Sequence, residues 1–438
     1  MQNVILVALE QLRAPALTRE ERNVRRLLAL SGLVGIVQGG IVAFLPVFLV
    51  RLGASTVTIS LLTSLPAIVT VVTALPSGAL AARWRRIVPV SAAWFYALRF
   101  CYLAVAVAGL FGPGLAPTLI VAIWGLSAIP STIANAVWYD VLAEAIPARR
   151  RPVVNGTRWA LLGLLSAGSV ALFGQLLEAL PFPVNYQVVF VISFLAGVLN
   201  IRIYSQIEVP DREPSPRQAG VSLGVRARGF LRPLTERGFL AYVLVAFAMR
   251  VGLFLPSGLY SIFWVRDLGA SEALIGLRST VENLALTVGY YLWGRLTGRF
   301  GSWRIFAAAM VGVAVAKIVT GLVTPQFMPL LFVAALIGGA FAAGIDVSLF
   351  ELLLRVMPPD ERPRYVALNM VLAHSVIFVV PLVGAAVAEQ VGIRPVLFVA
   401  AGCLLACAGL AYRLFGMRPA PADEVPALPA QAAKGVPS

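Results

Sequence analysis

The chain has 438 residues, 59% of them hydrophobic and 13% charged, with a mean hydropathy of +0.87. A soluble fold carries an apolar share of about 45 to 50%, so the composition excludes an ordinary water-soluble domain and implies a membrane protein. The formal net charge of +15 would suit a nucleic-acid binder, but 27 of the 35 Lys and Arg fall in the N-terminal segment, in alternate loops with the span ends that adjoin them, and in the C-terminal tail. That asymmetry is what the positive-inside rule produces. No nucleic-acid partner is implied, and both termini are expected in the cytoplasm of a multi-pass protein of a bacterial-type inner membrane.

Cutting the apolar runs at charges and at Pro/Gly clusters gives twelve stretches near the length of about 20 residues that crosses a bilayer as helix. They fall at 28–50, 57–80, 87–111, 116–140, 156–178, 187–205, 239–264, 272–294, 304–323, 328–350, 365–388 and 395–415. Backbone groups in hydrocarbon must pair within the segment, so these runs are read as helices. The fold class expected is an all-α membrane protein. Its parts are a cytoplasmic N-terminal segment (1–27), a six-helix bundle (28–205), a cytoplasmic linker (206–238), a second six-helix bundle (239–415) and a disordered tail (416–438).

Residues 1–17 are mildly apolar but interrupted by Glu10 and Arg13, which fits an interfacial helix better than a cleaved signal peptide. Thr18-Arg19-Glu20-Glu21 fits a capping box, so a helix is expected to start there and enter the first span through the basic stretch Arg22 to Arg26. The first span carries Gln38-Gly39-Gly40 near its middle. Gln38 is a candidate substrate contact, while the glycines can equally serve close helix packing.

The second span opens a repeat. LGASTVTISLLTSLPAIVTVVTALPSGALAAR, from Leu52 to Arg83, returns as LGASEALIGLRSTVENLALTVGYYLWGRLTGR, from Leu268 to Arg299, at a constant offset of 216. Leu52, Gly53, Ala54, Ser55, Ile59, Leu61, Val72, Gly78, Leu80 and Arg83 meet identical residues. The twelve helices are therefore two copies of one unit, two pseudo-symmetric six-helix bundles.

Each copy ends in a short basic loop, Gly78-Ala-Leu-Ala-Ala82-Arg83-Trp84-Arg85-Arg86 and Gly294-Arg-Leu-Thr-Gly298-Arg299-Phe300-Gly301-Ser302-Trp303-Arg304. Both resemble the signature between the second and third helices of the major facilitator superfamily, Gly-x3-Asp-Arg/Lys-x-Gly-x-Arg/Lys-Arg/Lys, which that family repeats between its eighth and ninth helices. Ala82 and Gly298 stand where the family has Asp, so the gate in which that Asp takes part is not expected here in its usual form. The resemblance implies alternating access, with helices 1, 4, 7 and 10 lining a central cavity. Arg99 in the third span and Lys317 in the ninth then lie on peripheral helices, where a structural or snorkelling role is expected.

The fourth span holds Asn135 and Trp138, candidate substrate contacts, and leaves the membrane through Asp140, Glu144 and Arg149-Arg150-Arg151. The tenth repeats this plan at an offset of 211, Asp140 meeting Glu351 and Arg151 meeting Arg362. Glu144 and Arg151 resemble the Glu-x6-Arg element of sugar-porter members, a motif too short to assign a sugar. A cytoplasmic gate is expected from Arg83 with Asp140 or Glu144 and from Arg299 with Glu351, flanked by Arg151 and Arg362. Half-exposed pairs of about 1 kcal/mol each suit a latch that opens; ordinary charge dressing of helix ends is the competing reading. The fifth span has Gly163, Gly168 and Gly174 but no Pro, which, by the resemblance, disfavours a drug/proton antiporter. In the linker, Phe230 to Thr235 fits a short surface helix.

The second half places Arg250 in the seventh span, Arg278 and Glu282 in the eighth, Asp346 in the tenth and His374 in the eleventh. Charges at such depth cost about 2.5 to 3.5 kcal/mol on insertion scales and mark paired or functional positions. Arg278 and Glu282 can pair at i, i+4. Arg250 is left to find Asp346, Glu282 or a ligand, and Arg250 and Asp346 are the further substrate-binding candidates. Glu282, Asp346 and His374 are candidates for proton coupling. Cys101, Cys403 and Cys407 show no metal spacing, and no phosphate loop, cofactor motif or metal site is visible, so neither an enzyme nor a cofactor is expected.

The function expected is secondary active transport of a small molecule, coupled to protons, with a slight preference for a substrate bearing a negative group. Two alternatives stay open: a proton-coupled exporter of lipophilic or cationic compounds, and a lipid-handling or sensor protein of the same fold that does not transport.

Overall fold

In a computed structural model of the chain, residues 18–213, 231–358 and 361–416 are described. Twelve helical segments follow one another. The first half holds α1 (Arg19–Arg51), α2 (Thr56–Ala81), α3 (Ile87–Ala108), α4 in three pieces (Gly112–Leu126, Ala128–Asn135 and Trp138–Ala145), α5 (Arg151–Ala179) and α6 (Val184–Tyr204). The second holds α7 (Arg237–Phe254, continued by Leu259–Ile262 and Phe263–Asp267), α8 (Glu272–Phe300), α9 (Ser302–Leu322), α10 (Leu330–Val356), α11 (Arg362–Val391) and α12 (Ile393–Ala411).

Length and apolar composition alone select 10 membrane-crossing helices among the described residues. Two facts carry the number to twelve. The stretch Ile87–Ala145 turns at Gly112, whose φ is 76°, and α4 packs back along α3. The other is α8, which is 29 residues long but too polar to qualify by composition.

Helix α1 starts earlier than its apolar run because the capping box is formed. The Thr18 Oγ1 accepts from the Glu21 N–H at 3.2 Å, and the Glu21 carboxylate accepts from the Thr18 N–H at 3.2 Å. The helix then passes through Arg22 to Arg26 as expected. The interfacial helix expected within residues 1–17 lies outside the described residues, as does the tail beyond 416. In the linker, residues 214–230 are also outside them, and Arg232–Thr235 forms a 3-10 turn where a short surface helix was expected.

In the first half α1 packs on α5 and α6, α3 on α4 and α6, and α2 on α4. In the second, α8 and α9 pack on α10, and α12 on α7 and α9. The two-bundle architecture is the one read from the repeat. The halves meet along α5 with α8 and along α2 with α11. Gly174 and Gly276 set the first seam: a Cβ on Gly276 would lie 2.7 Å from the Val170 carbonyl oxygen. Only hydrogen at these positions lets the two backbones approach so closely.

The repeated Leu-Gly-Ala-Ser turns explain the strength of the repeat. Gly53 and Gly269 take positive φ, 80° and 63°, which ends one helix at low steric cost. Ser55 and Ser271 then cap the next, accepting from the N–H groups of Thr58 and Leu274 at 3.2 and 3.3 Å. Helices α2 and α8 thus start at equivalent positions.

Candidate functional site

A cavity of about 320 Å³ lies inside the first half, walled by α1, α3, α4, α5 and α6. It brings together three residues singled out from the sequence, Gln38, Asn135 and Trp138, and adds Arg99 and Arg158. Gln38 begins a π-helical turn, Gln38–Val42, inside α1. Such a turn carries an extra residue and re-aims the side chains around it. Gly39 and Gly40 face α5 and α6: a Cβ on Gly39 would come 2.7 Å from the Ser166 carbonyl oxygen, and the Ile41 N–H next to them donates to Ser193 Oγ at 3.1 Å. The glycines therefore serve packing, and Gln38 itself is exposed toward the cavity.

Arg158 stands over the Trp138 ring at 5.1 Å and donates to Ser31 Oγ at 3.1 Å and Asn155 Oδ1 at 3.0 Å. Asn135 donates to the Ser131 carbonyl at 2.9 Å and keeps its side chain exposed. Arg99 departs from the expectation of snorkelling. It is only 7% exposed, lies 5.0 Å from the Tyr102 ring and lines the cavity, because α6 presents Gly197 beneath its stem. Lys317 likewise stays inside, 5% exposed, donating to the Tyr260 hydroxyl at 2.7 Å.

In the second half the Arg278–Glu282 pair forms at 2.7 Å, with the guanidinium stacked 4.3 Å over Trp264. Asp346 does not reach Arg250. Its carboxylate accepts from the Tyr290 hydroxyl at 2.6 Å, since α10 turns Asp346 toward its main packing partner, α8. Glu282 is held by Arg278. Arg250 is half-buried, donates to the Ala246 carbonyl at 3.2 Å and lies beside the Tyr242 hydroxyl, with no carboxylate among its described partners. His374 shares its Nδ1 with the Met370 carbonyl at 2.9 Å, one turn back along α11.

At the Arg-rich end the expected gate pairs are not formed. Asp140 accepts from Arg212 at 3.0 Å instead of Arg83, and Glu351 meets Arg355 at 3.5 Å within α10 instead of Arg299. Arg83, Glu144, Arg299 and Arg362 are exposed, and Arg151 caps the end of α4 by donating to the Ala143 and Ile146 carbonyls at 2.6 and 3.0 Å. The physical reason is competition from the linker. Arg212 also donates to the Trp84 carbonyl at 3.0 Å and to that of Ala81, while Asp211 lies 3.5 Å from Arg85. This clasp ties the α2–α3 loop, where Ala82 replaces the expected acid, to α4. Every ion pair described at this end stays within one half.

A second clasp joins the linker to α1. Glu208 accepts from Arg22 and Arg26, both at 3.0 Å. Hydrogen bonds from the two guanidinium groups, more than burial opposes, pull the Glu208 carboxyl down to about 2. Its folded value lies below the unfolded value of about 4.3, so the clasp contributes fully above about pH 4.3 and is lost as the pH falls toward 2. Between about pH 5 and 3 the melting temperature of the wild type in detergent is expected to fall more steeply than that of Glu208→Gln. Parallel curves would show that the clasp contributes nothing.

The opposite end carries contacts that sequence reading missed. Arg51 donates to Glu272 at 2.8 Å and to the Ala270 carbonyl at 3.2 Å, and Arg266 donates to the Ala54 carbonyl at 2.7 Å. Ala54 and Ala270 are equivalent positions of the repeat, so each half grips the other's turn. The Tyr186 hydroxyl donates to Glu272 at 3.0 Å, and the Ala273 N–H to Glu178 at 3.1 Å. The repeat showed that the turns were equivalent; nothing in it showed that they meet.

Residues 238–437 match the family model of the Major Facilitator Superfamily. No curated protein matches the chain. Among solved structures, a bacterial homologue of the iron transporter ferroportin in an inward-facing state is similar at a TM-score of 0.68 with 14% identity, over 92% of this chain and 99% of that one. A bacterial homologue of the human lysosomal transporter Spinster, inward-facing and unoccupied, gives 0.64 with 15% identity over 91% and 98%. The nucleoside transporter NupG gives 0.61 with 16% identity over 90% and 100%. At these identities the structures speak for the fold alone. Residues 238–437 match the Major Facilitator Superfamily by sequence, and over nine-tenths of its length the chain has the fold of these solved transporters.

Proposed function

We propose that the protein is a secondary active transporter that works by alternating access, coupled to protons and preferring a substrate with a negative group. The observation that carries it is the asymmetry of the two ends. The halves are clasped through Arg51, Glu272 and Arg266, whereas the ion pairs described at the Arg-rich end stay within each half. By the positive-inside rule the Arg-rich end and both termini are assigned to the cytoplasm, and a clasp confined to the far end is what an inward-facing state of a two-state machine requires. The preference for an anion rests on Arg99, Arg158, Arg250 and Lys317, four cations within the spans whose described partners are neutral. The acids within the spans are already engaged, Glu282 by Arg278 and Asp346 by Tyr290, which disfavours a cationic substrate.

The test is reconstitution into proteoliposomes with an imposed pH gradient, offering labelled organic anions, amino acids, nucleosides and lipophilic cations in parallel. Gradient-driven uptake of an acidic compound is expected. Arg250→Ala should lower it at least about tenfold while the protein remains folded and monodisperse. Transport retained by that variant removes Arg250 from the substrate path, and export of lipophilic cations only would favour the exporter reading.

A further inference from the structure

The cavity of the first half contains two guanidinium groups and, among its described lining, no acid. Arg99 is 7% exposed and its Nε has no hydrogen-bond partner. Its stem is confined by α6, where a Cβ on Gly197 would come 2.7 Å from that same nitrogen. The second cation, Arg158, has among the described residues only neutral partners, the oxygens of Ser31 and Asn155 and the Trp138 ring. Burying a guanidinium costs far more than one ring contact returns, so a cation kept in this state is one that a ligand completes. The remaining walls say what kind of ligand. Phe95, Tyr102, Trp138 and Tyr204 supply aromatic faces, and Gln38 and Asn135 supply amides. A volume of about 320 Å³ accommodates a small metabolite.

We infer that this cavity is the subsite for the acidic group of a small aromatic acid, its carboxylate or phosphate received by Arg99 and Arg158 and its ring held among the aromatic walls. The inference rests on the transporter reading above and makes it specific. A guanidinium takes a planar oxyanion through paired N–H donors, which a lysine cannot reproduce. The two arginines already stack on Tyr102 and Trp138, so an aromatic ring entering beside them meets surfaces of the same kind. The same oxyanion chemistry could be offered by a lipid headgroup, and the test separates the two sources.

Labelled benzoate is titrated against the purified full chain in phosphatidylcholine nanodiscs. Binding is expected in the wild type, with displacement by phenyl phosphate and not by benzyl alcohol. Arg99→Gln and Arg158→Gln should each weaken it about 10- to 100-fold, and Arg158→Lys, which keeps the charge but loses the fork, should also weaken it. Thermal unfolding of the same variants separates site from scaffold. Removing an unanswered buried cation should leave the melting temperature unchanged or raised, whereas a structural arginine would lower it. The inference is overturned if the wild type binds no benzoate at millimolar concentration, if both Gln variants bind it equally well, or if only phosphatidylglycerol nanodiscs protect the protein. Benzoate uptake that persists in both Gln variants sinks the subsite and leaves the transporter standing. Arginine-dependent binding without any gradient-driven uptake does the reverse.

Discussion

Arg51→Ala is expected to release the clasped end and raise the outward-open population by about 10- to 100-fold. The side chain makes two contacts across the halves, to Glu272 and to the Ala270 carbonyl. Glu272 has only 14% of its side chain exposed, so without Arg51 it keeps the Tyr186 hydroxyl and loses its charge partner. Leaving one member of such a pair unanswered costs about 1 to 3 kcal/mol, and the cost falls on the closed state alone. That difference, applied to a two-state equilibrium, gives the stated change in population. Arg266→Ala should act in the same direction but less, about 1 kcal/mol, since Arg266 contributes a single carbonyl hydrogen bond in this clasp. The measurement is maleimide labelling of Ser60→Cys, a buried position that abuts Gly258 of the other half. Labelling rates should rise in the order wild type, Arg266→Ala, Arg51→Ala. Equal rates in all three would remove the outer gate from the mechanism.

Asp346→Asn is expected to abolish accumulation driven by a pH gradient, by at least about tenfold, while leaving substrate exchange across the membrane in place. Among the three candidates for proton coupling, geometry favours Asp346. It faces a hydroxyl, so taking up a proton breaks no ion pair, and its side chain is exposed. Glu282 would have to give up Arg278 at 2.7 Å. Asparagine keeps the size and the acceptor for Tyr290 but cannot titrate. Proteoliposomes loaded with substrate distinguish the two activities: counterflow should continue and net uphill uptake should stop. Uphill uptake that survives would move the coupling to Glu282 or His374.

Much of this protein is legible in its sequence because the bilayer is a severe solvent. Hydrocarbon leaves no partner for a free backbone amide, so helices must be long and apolar, and the twelve spans can be cut directly from the chain. The repeat at an offset of 216 gave two equivalent halves. The Leu-Gly-Ala-Ser stretches stood at matching positions in the two copies, and the Thr18–Glu21 box marked the start of α1. All of these are local, set by neighbours a few residues away.

The tertiary structure decided which charges meet. Sequence spacing identified Arg278 with Glu282 because one helical turn is a local distance. Spacing could not show that Asp346 would turn to Tyr290, that Asp211 and Arg212 of the linker would hold the α2–α3 loop, or that Arg51 would cross to Glu272, 221 positions away. Nor could it show that Arg99, on a helix expected to be peripheral, lies inside a cavity with Arg158. Each of these depends on how whole helices rotate and approach, which close packing fixes through contacts such as Gly174 against Gly276 and Gly197 beneath Arg99. The solvent dictated the helices, and only their packing determined which buried charges were left without an opposite charge.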